Sequence, residues 1–230
     1  MRMRLNASSI LLIQIDKYSI HFMNTKPLLR GHFHQAAFFL ACGACLVLIS
    51  NCRDVTATIA TSIYSFSLIF LLGTSALYHR ITWEPGAREW MKRLDHSAIY
   101  ILIAGTFTPI CLLALQGDSG KNLLMTIWII AILGVLQTLF YVGTPKWLSA
   151  TLYVFAGYMI LPYLSELKNS IGPYNLILLI AGGLTYTLGA LVYAIKRPIL
   201  RPEIFGYHEV FHILVILAAS LHFIVIKSLI

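Results

Sequence analysis

The sequence predicts an all-α polytopic membrane protein: a bundle of seven transmembrane helices with its N-terminus cytoplasmic and its C-terminus external. Three observations predict it. Of the 230 residues, 58% are hydrophobic and only 11% are charged, where a soluble domain carries about 25% charged residues. The charges gather between long apolar blocks instead of scattering. Seven blocks approach the roughly 20 residues that cross a hydrocarbon core. The polar surface is too small to face water, so lipid is the natural solvent.

In chain order, residues 1–26 fit the bundle poorly. Ile10-Leu11-Leu12-Ile13 is too short to span and is followed by Asp16 and Lys17, so this arm is expected to be cytoplasmic, either interfacial or disordered. Met23 is an alternative start to Met1. Residues 27–230 are expected to form one membrane domain without internal repeats. The first span covers His34 to Asn51. Its Cys42-Gly43-Ala44-Cys45 spells C-x-x-C, but mid-span it reads as small-residue packing, and with Cys52 and Cys111 it implies no disulfide framework. The second runs Val55 to Tyr78, and the third His96 to Leu115 with Pro109 as a kink. The fourth runs Leu123 to Val142, and the fifth Trp147 to Leu164 with Pro162 as another. The sixth, Tyr174 to Ile195, carries Gly182-Gly183 and Gly189, which predict close helix contacts. The seventh runs Phe205 to Ile226. Trp83, Trp90, Trp147 and Tyr174 fall near span ends, where aromatic rings favour the interface. Short connections make consecutive helices antiparallel neighbours.

Loop charge sets the orientation, because Lys and Arg are retained inside. The N-terminal arm (Arg2, Arg4, Lys17, Lys26, Arg30) and the second-to-third connection (Arg80, Arg88, Lys92, Arg93) lie on one side. Lys146 and the group Lys196, Arg197 and Arg201 join them, giving thirteen cations. Arg53, Lys121, Lys168 and Lys227 lie opposite, giving four. The split places the N-terminus in the cytoplasm and demands an odd number of spans. It also accounts for the net charge of +8 as an inner collar beside anionic lipid. No aromatic-basic pattern for nucleic acid occurs, so the expected partners are membrane lipids. No cleavable signal pattern is found, and the chain is expected to stay in a bacterial inner membrane.

Depth then brings polar residues together. His208 and His212 stand one helical turn apart, their imidazoles on one face about 6 Å from each other, close enough to share a metal. The second span ends in Ser75-Ala76-Leu77-Tyr78-His79, and the third begins at Asp95-His96, both on the same cytoplasmic side. Neutral imidazoles of His79, His208 and His212 would hold zinc with a fourth position open, the pattern of catalytic zinc. Asp95 suits a water at that position, whose pKa zinc lowers to about 7, and Ser75 is placed to assist at a carbonyl. Ionisable groups at membrane depth are costly and usually functional. His96 is a supporting candidate beside Asp95. Lone His21, His32, His34 and His222 read as interfacial residues. His208-Glu209-Val210-Phe211-His212 also fits H-E-x-x-H, in which Glu209 would be a metalloprotease base.

Ser75-x-x-x-His79, the Asp95 segment running to Pro109, and His208-x-x-x-His212 occur in order, and the chain from about residue 27 to 230 resembles the hemolysin III family. That family is grouped with the progestin and adipoQ receptors, adiponectin receptors included, in a wider set of proposed membrane hydrolases with alkaline ceramidases. The resemblance implies zinc on His79, His208 and His212, a water-holding Asp95, a supporting Ser75, and a seven-helix bundle with its N-terminus inside. It supplies a carboxylate in Asp95, which argues against the protease reading. It implies a metal-dependent hydrolase of a lipid amide or ester. Two other functions stand beside it: lipid homeostasis or sensing with structural zinc, and pore formation by a cytolysin.

Overall fold

Apolar blocks bounded by turn residues fold into helices whose ends the sequence marks chemically. The computed structural model describes residues 27–115, 117–141, 143–198, 200–201 and 203–230; the arm 1–26, with Met23, lies outside them. Helix α1 (His32–Ser50) follows Gly31. Helix α2 (Val55–Arg80) is capped by Asp54, which accepts the Ala57 N–H at 2.8 Å, satisfying one of the free donors of its first turn. Helix α3 (Pro85–Pro109) opens on a proline, preset for the first helical position. At Pro109, which lacks an N–H, the ladder widens into a π-helical turn over Ile110–Ala114. Helix α4 (Gly117–Phe140) follows. Helix α5 (Lys146–Gly157) tightens into a 3-10 stretch, Tyr158–Tyr163, that contains Pro162. Helix α6 (Leu164–Ile195) is interrupted at Gly172, whose φ of 77° and ψ of 165° no helix admits, and α7 (Tyr207–Lys227) closes the chain.

Six helical stretches among the described residues are long and apolar enough to cross a membrane: His32–Ser50, Val55–Arg80, Pro85–Ala114, Gly117–Phe140, Lys146–Ile195 and Tyr207–Lys227. Their outer faces expose large apolar side chains such as Leu40, Phe66, Leu133, Phe140 and Leu184, far more than a water-facing monomer tolerates. Hydroxyls within the helices turn back onto their own ladder, as Thr108 does to the Ala104 carbonyl at 2.8 Å and Thr138 to Gly134 at 2.9 Å. The chain is therefore an all-helical integral membrane protein in contact with lipid.

Neighbours in sequence pack as neighbours in space, α1 on α2, α2 on α3, α3 on α4, α5 on α6 and α6 on α7, and contact between α1 and α7 closes the ring. Helix α3 is central: 72% of its apolar window is buried, against 22% for α4. Glycines bring it close to its partners. A Cβ at Gly105 would strike the Ser67 side chain on α2, and one on Gly134 of α4 would strike the Tyr100 ring.

Two boundaries differ most from the sequence reading, and the fourth helix also begins at Gly117, not Leu123. The third helix begins at Pro85, not His96, so Arg88, Lys92 and Arg93 ride on its first turns and Asp95 sits inside it. An interfacial segment can be charged and still helical, which hydropathy alone ends too early. The connection expected between Leu164 and Tyr174 is also helical up to Gly172. The expected kinks at Pro109 and Pro162 fall where the helix changes type. Of the glycine pair in α6, Gly182 makes a close contact while Gly183 faces open space.

Gly105→Leu is expected to overpack the α2–α3 contact and cost about 1–3 kcal/mol. Its melting temperature in detergent should fall relative to wild type, whereas Gly183→Ala, whose Cβ would meet nothing within 4 Å, should cause no such fall.

Candidate metal centre

Helices α2 and α7 carry the three imidazoles that the spacing singled out, and their packing brings them to one point. His79, His208 and His212 each offer a ring nitrogen within 4.8 Å of the others, and all three are buried. His79 Nε2 and His208 Nε2 are 3.1 Å apart, near the ~3.3 Å edge of a zinc tetrahedron built with bonds of about 2.0–2.1 Å. The rings of His208 and His212 stand 4.6 Å apart, closer than the roughly 6 Å expected from the one-turn spacing. His212 Nδ1 is buried with no hydrogen-bond partner among the described residues. Buried polar atoms are rarely left so. Three buried imidazoles on one locus fit a metal ion, and the set could hold one.

Asp95 approaches from α3. Its Oδ2 lies 3.6 Å from His79 Nε2, adjacent to the imidazole cluster without joining it. Ser75, one turn before His79, is buried. Asp95 and Ser75 line a cavity of about 210 Å³ together with His208, many times the roughly 10–15 Å³ that one buried water needs. The cavity runs from these polar groups between α3, α5, α6 and α7, past Ile103 and Phe107. Its wall includes Leu161 and Leu184, whose side chains are exposed on the lipid-facing side. His96 also lines it, so the supporting candidate lies within reach of the site.

The sequence reading erred on His34. It is no interfacial residue: it is 2% exposed, and its ring stacks on His212 with centroids 3.9 Å apart and planes 11° from parallel. Neither of its ring nitrogens has a partner among the described residues. A single histidine in an apolar block carries no spacing signal, and only the α1–α7 contact reveals its place. His222 was likewise misread; it is partly buried and lines the same cavity.

Glu209 does not face the site as a protease base would. It is fully buried, ion-paired to Arg30 Nε, and its other oxygen accepts the Gly206 N–H at 2.7 Å at the start of α7. The segment before α1 is tied to the same place: the Leu28 and Leu29 N–H groups donate to the Glu203 and Ile204 carbonyls at 2.8 and 3.1 Å. Gly31, with φ 82°, then passes so near α2 that a Cβ would lie 2.8 Å from His79 Cβ. Glu209 thus anchors a strap across the histidine cluster.

Arg30→Met should leave the buried Glu209 carboxylate uncompensated, destabilising by about 3–5 kcal/mol, and Arg30→Met with Glu209→Met should recover much of that loss. Thermal denaturation of the three proteins in detergent measures it. His34→Ala removes the face on which His212 rests, and metal affinity should fall roughly 10–100-fold, as when a residue supporting a metal ligand is lost; competition with a chromogenic chelator measures that.

Comparison with known proteins identifies the family. A family model described as haemolysin-III related matches residues 22–223. "Hemolysin-3" of Bacillus cereus is 32% identical over 193 residues, covering 83% of this chain and 85% of that protein. The "Hemolysin-3 homolog" of Bacillus subtilis (strain 168) is 31% identical over 152 residues, 66% of this chain and 71% of that one. The chain belongs to the haemolysin-III-related family, within the progestin and adipoQ receptor superfamily.

Proposed function

We propose that the protein is a zinc-dependent hydrolase of a lipid amide or ester, spanning a bacterial inner membrane seven times with its N-terminus in the cytoplasm. One observation carries the reading: three buried imidazoles gather with a carboxylate beside them, and one of the three, His208, lines an apolar cavity within the bundle together with that carboxylate. A structural zinc site takes four protein ligands; this set offers three and leaves a position for water or substrate.

The span count rests on length. The stretch Lys146–Ile195 has 50 residues, about 75 Å of helix at about 1.5 Å per residue, more than twice the ~30 Å core. Its break at Gly172 divides it into two crossings, making seven. The odd number puts the termini on opposite sides, and the excess of cations at the histidine end supports a cytoplasmic site.

His79, His208 and His212 would hold the zinc. Bound there, it would supply a Lewis acid for a carbonyl and lower the pKa of water to about 7. Asp95, 3.6 Å from the His79 Nε2 that would bind the metal, is placed to accept a proton from a water held there. Ser75 lies on the same face of α2 one turn away, placed to donate its hydroxyl to the substrate carbonyl. The apolar wall seats the acyl chain and keeps bulk water from the reacting bond. Its exposed residues Leu161 and Leu184 suit a substrate arriving from lipid.

Metal analysis of wild type beside His208→Ala, followed by lipidomics on the same preparations, tests the reading. Wild type should carry about one zinc per chain and release fatty acid from a lipid amide or ester; His208→Ala should do neither. Zinc-loaded wild type that releases no fatty acid from any such lipid overturns the hydrolase. Histidine variants that lose stability instead of turnover would then point to a sensor with structural zinc. The relatives' name supports a second reading, permeabilisation of membranes, for which liposomes should leak dye without any lipid product.

A further inference from the structure

Away from the metal centre the cavity is lined by His222, ten residues beyond His212 on α7. At about 1.5 Å per residue the two stand about 15 Å apart along the helix, the length of roughly a dozen chain carbons. His222 Nε2 lies 3.1 Å from the Leu179 carbonyl oxygen on α6. A carbonyl only accepts, so Nε2 carries the proton and Nδ1 is left an acceptor. That Nδ1 is buried and has no partner among the described residues. The bundle makes room for this ring: a Cβ at Gly182 would strike its Cδ2 and Nε2, and Tyr186 packs against it with centroids 5.5 Å apart.

A second group on the cavity wall has the same character. Thr187 Oγ1 donates to the Gly183 carbonyl at 2.9 Å, so in its 3.1 Å contact with Tyr158 the phenol is the donor. The Tyr158 oxygen keeps only lone pairs to offer. At His222 and Tyr158 the cavity wall therefore presents acceptors whose protons are already committed. A plain acyl chain passing them leaves a buried acceptor unpaired, which costs more than the bond itself gains.

We propose that His222 forms a second polar subsite that accepts a hydrogen bond from a hydroxyl carried mid-chain on the lipid's acyl group. The proposal rests on the hydrolase reading for the presence of an acyl chain in the cavity. Ketone, ester and carboxylate groups bring no proton for His222 Nδ1 and gain nothing from it.

The test uses the full-length, zinc-loaded protein in nanodiscs and three probes: stearic, 2-hydroxystearic and 12-hydroxystearic acids, followed by titration calorimetry. Wild type should bind the 12-hydroxy acid about three- to tenfold more tightly than stearic acid, the gain of one net hydrogen bond. The 2-hydroxy acid should show no such gain. His222→Phe should erase the preference; if that variant does not fold, the positional comparison in wild type decides alone. Equal binding of the 12-hydroxy and stearic acids overturns the subsite, as does a preference that survives His222→Phe, while the lipid reading stands. Failure of all three acids to bind overturns both.

Discussion

Imidazoles inside an apolar bundle are tolerated only when something satisfies them, and that constraint organises this molecule. A buried polar group without a partner costs free energy, more in a bilayer than in a soluble core because no water is near. Here His34, His79, His208 and His212 are all buried at one end of the bundle, and several of their nitrogens find no protein partner among the described residues. Helices α1, α2, α3 and α7 must meet at that end for the cluster to exist. A metal ion held by His79, His208 and His212 would take up ring-nitrogen lone pairs in that set, where the His212 Nδ1 has no donor from the protein among the described residues.

The architecture follows from holding those rings in register. The segment leading into α1 pairs with the residues before α7, and Arg30 neutralises the fully buried Glu209. Through that pair the first and last spans are fastened where the histidines lie. Gly31 lets the strap run against His79 without a side chain between them. Helix α3 lies at the centre, bringing Asp95 to the cluster at one end and the small contact residue Gly105 to α2 further along. Between the helices remains a cavity, polar where the histidines are and apolar along most of its length. Chemistry at one end and chain-sized space beyond it are what hydrolysis of a lipid would need.

Much of this was legible in the sequence for a definite reason. His208 and His212 advertise themselves by helical spacing, and His79 and Asp95 by falling at the same depth once loop charge sets direction. Those inferences need only periodicity and the positive collar. His34 and His222 were not legible, because each is one polar residue on an apolar helix and its role depends on which helix it faces. Gly182 was read correctly as a contact, yet its partner, the His222 ring, is a tertiary fact. The same limit explains Glu209: the H-E-x-x-H spacing is present, but the carboxylate is turned to Arg30, which lies 179 residues away in the chain. Local pattern proposes a role, and long-range packing decides it.

The central claim is that His79, His208 and His212 together hold one zinc ion with a position left open. X-ray absorption at the zinc edge of the purified full-length protein tests it directly. The account predicts three imidazole nitrogens at about 2.0–2.1 Å with one further oxygen in a four-coordinate shell. A shell containing sulfur, or one filled by four imidazoles, would contradict it.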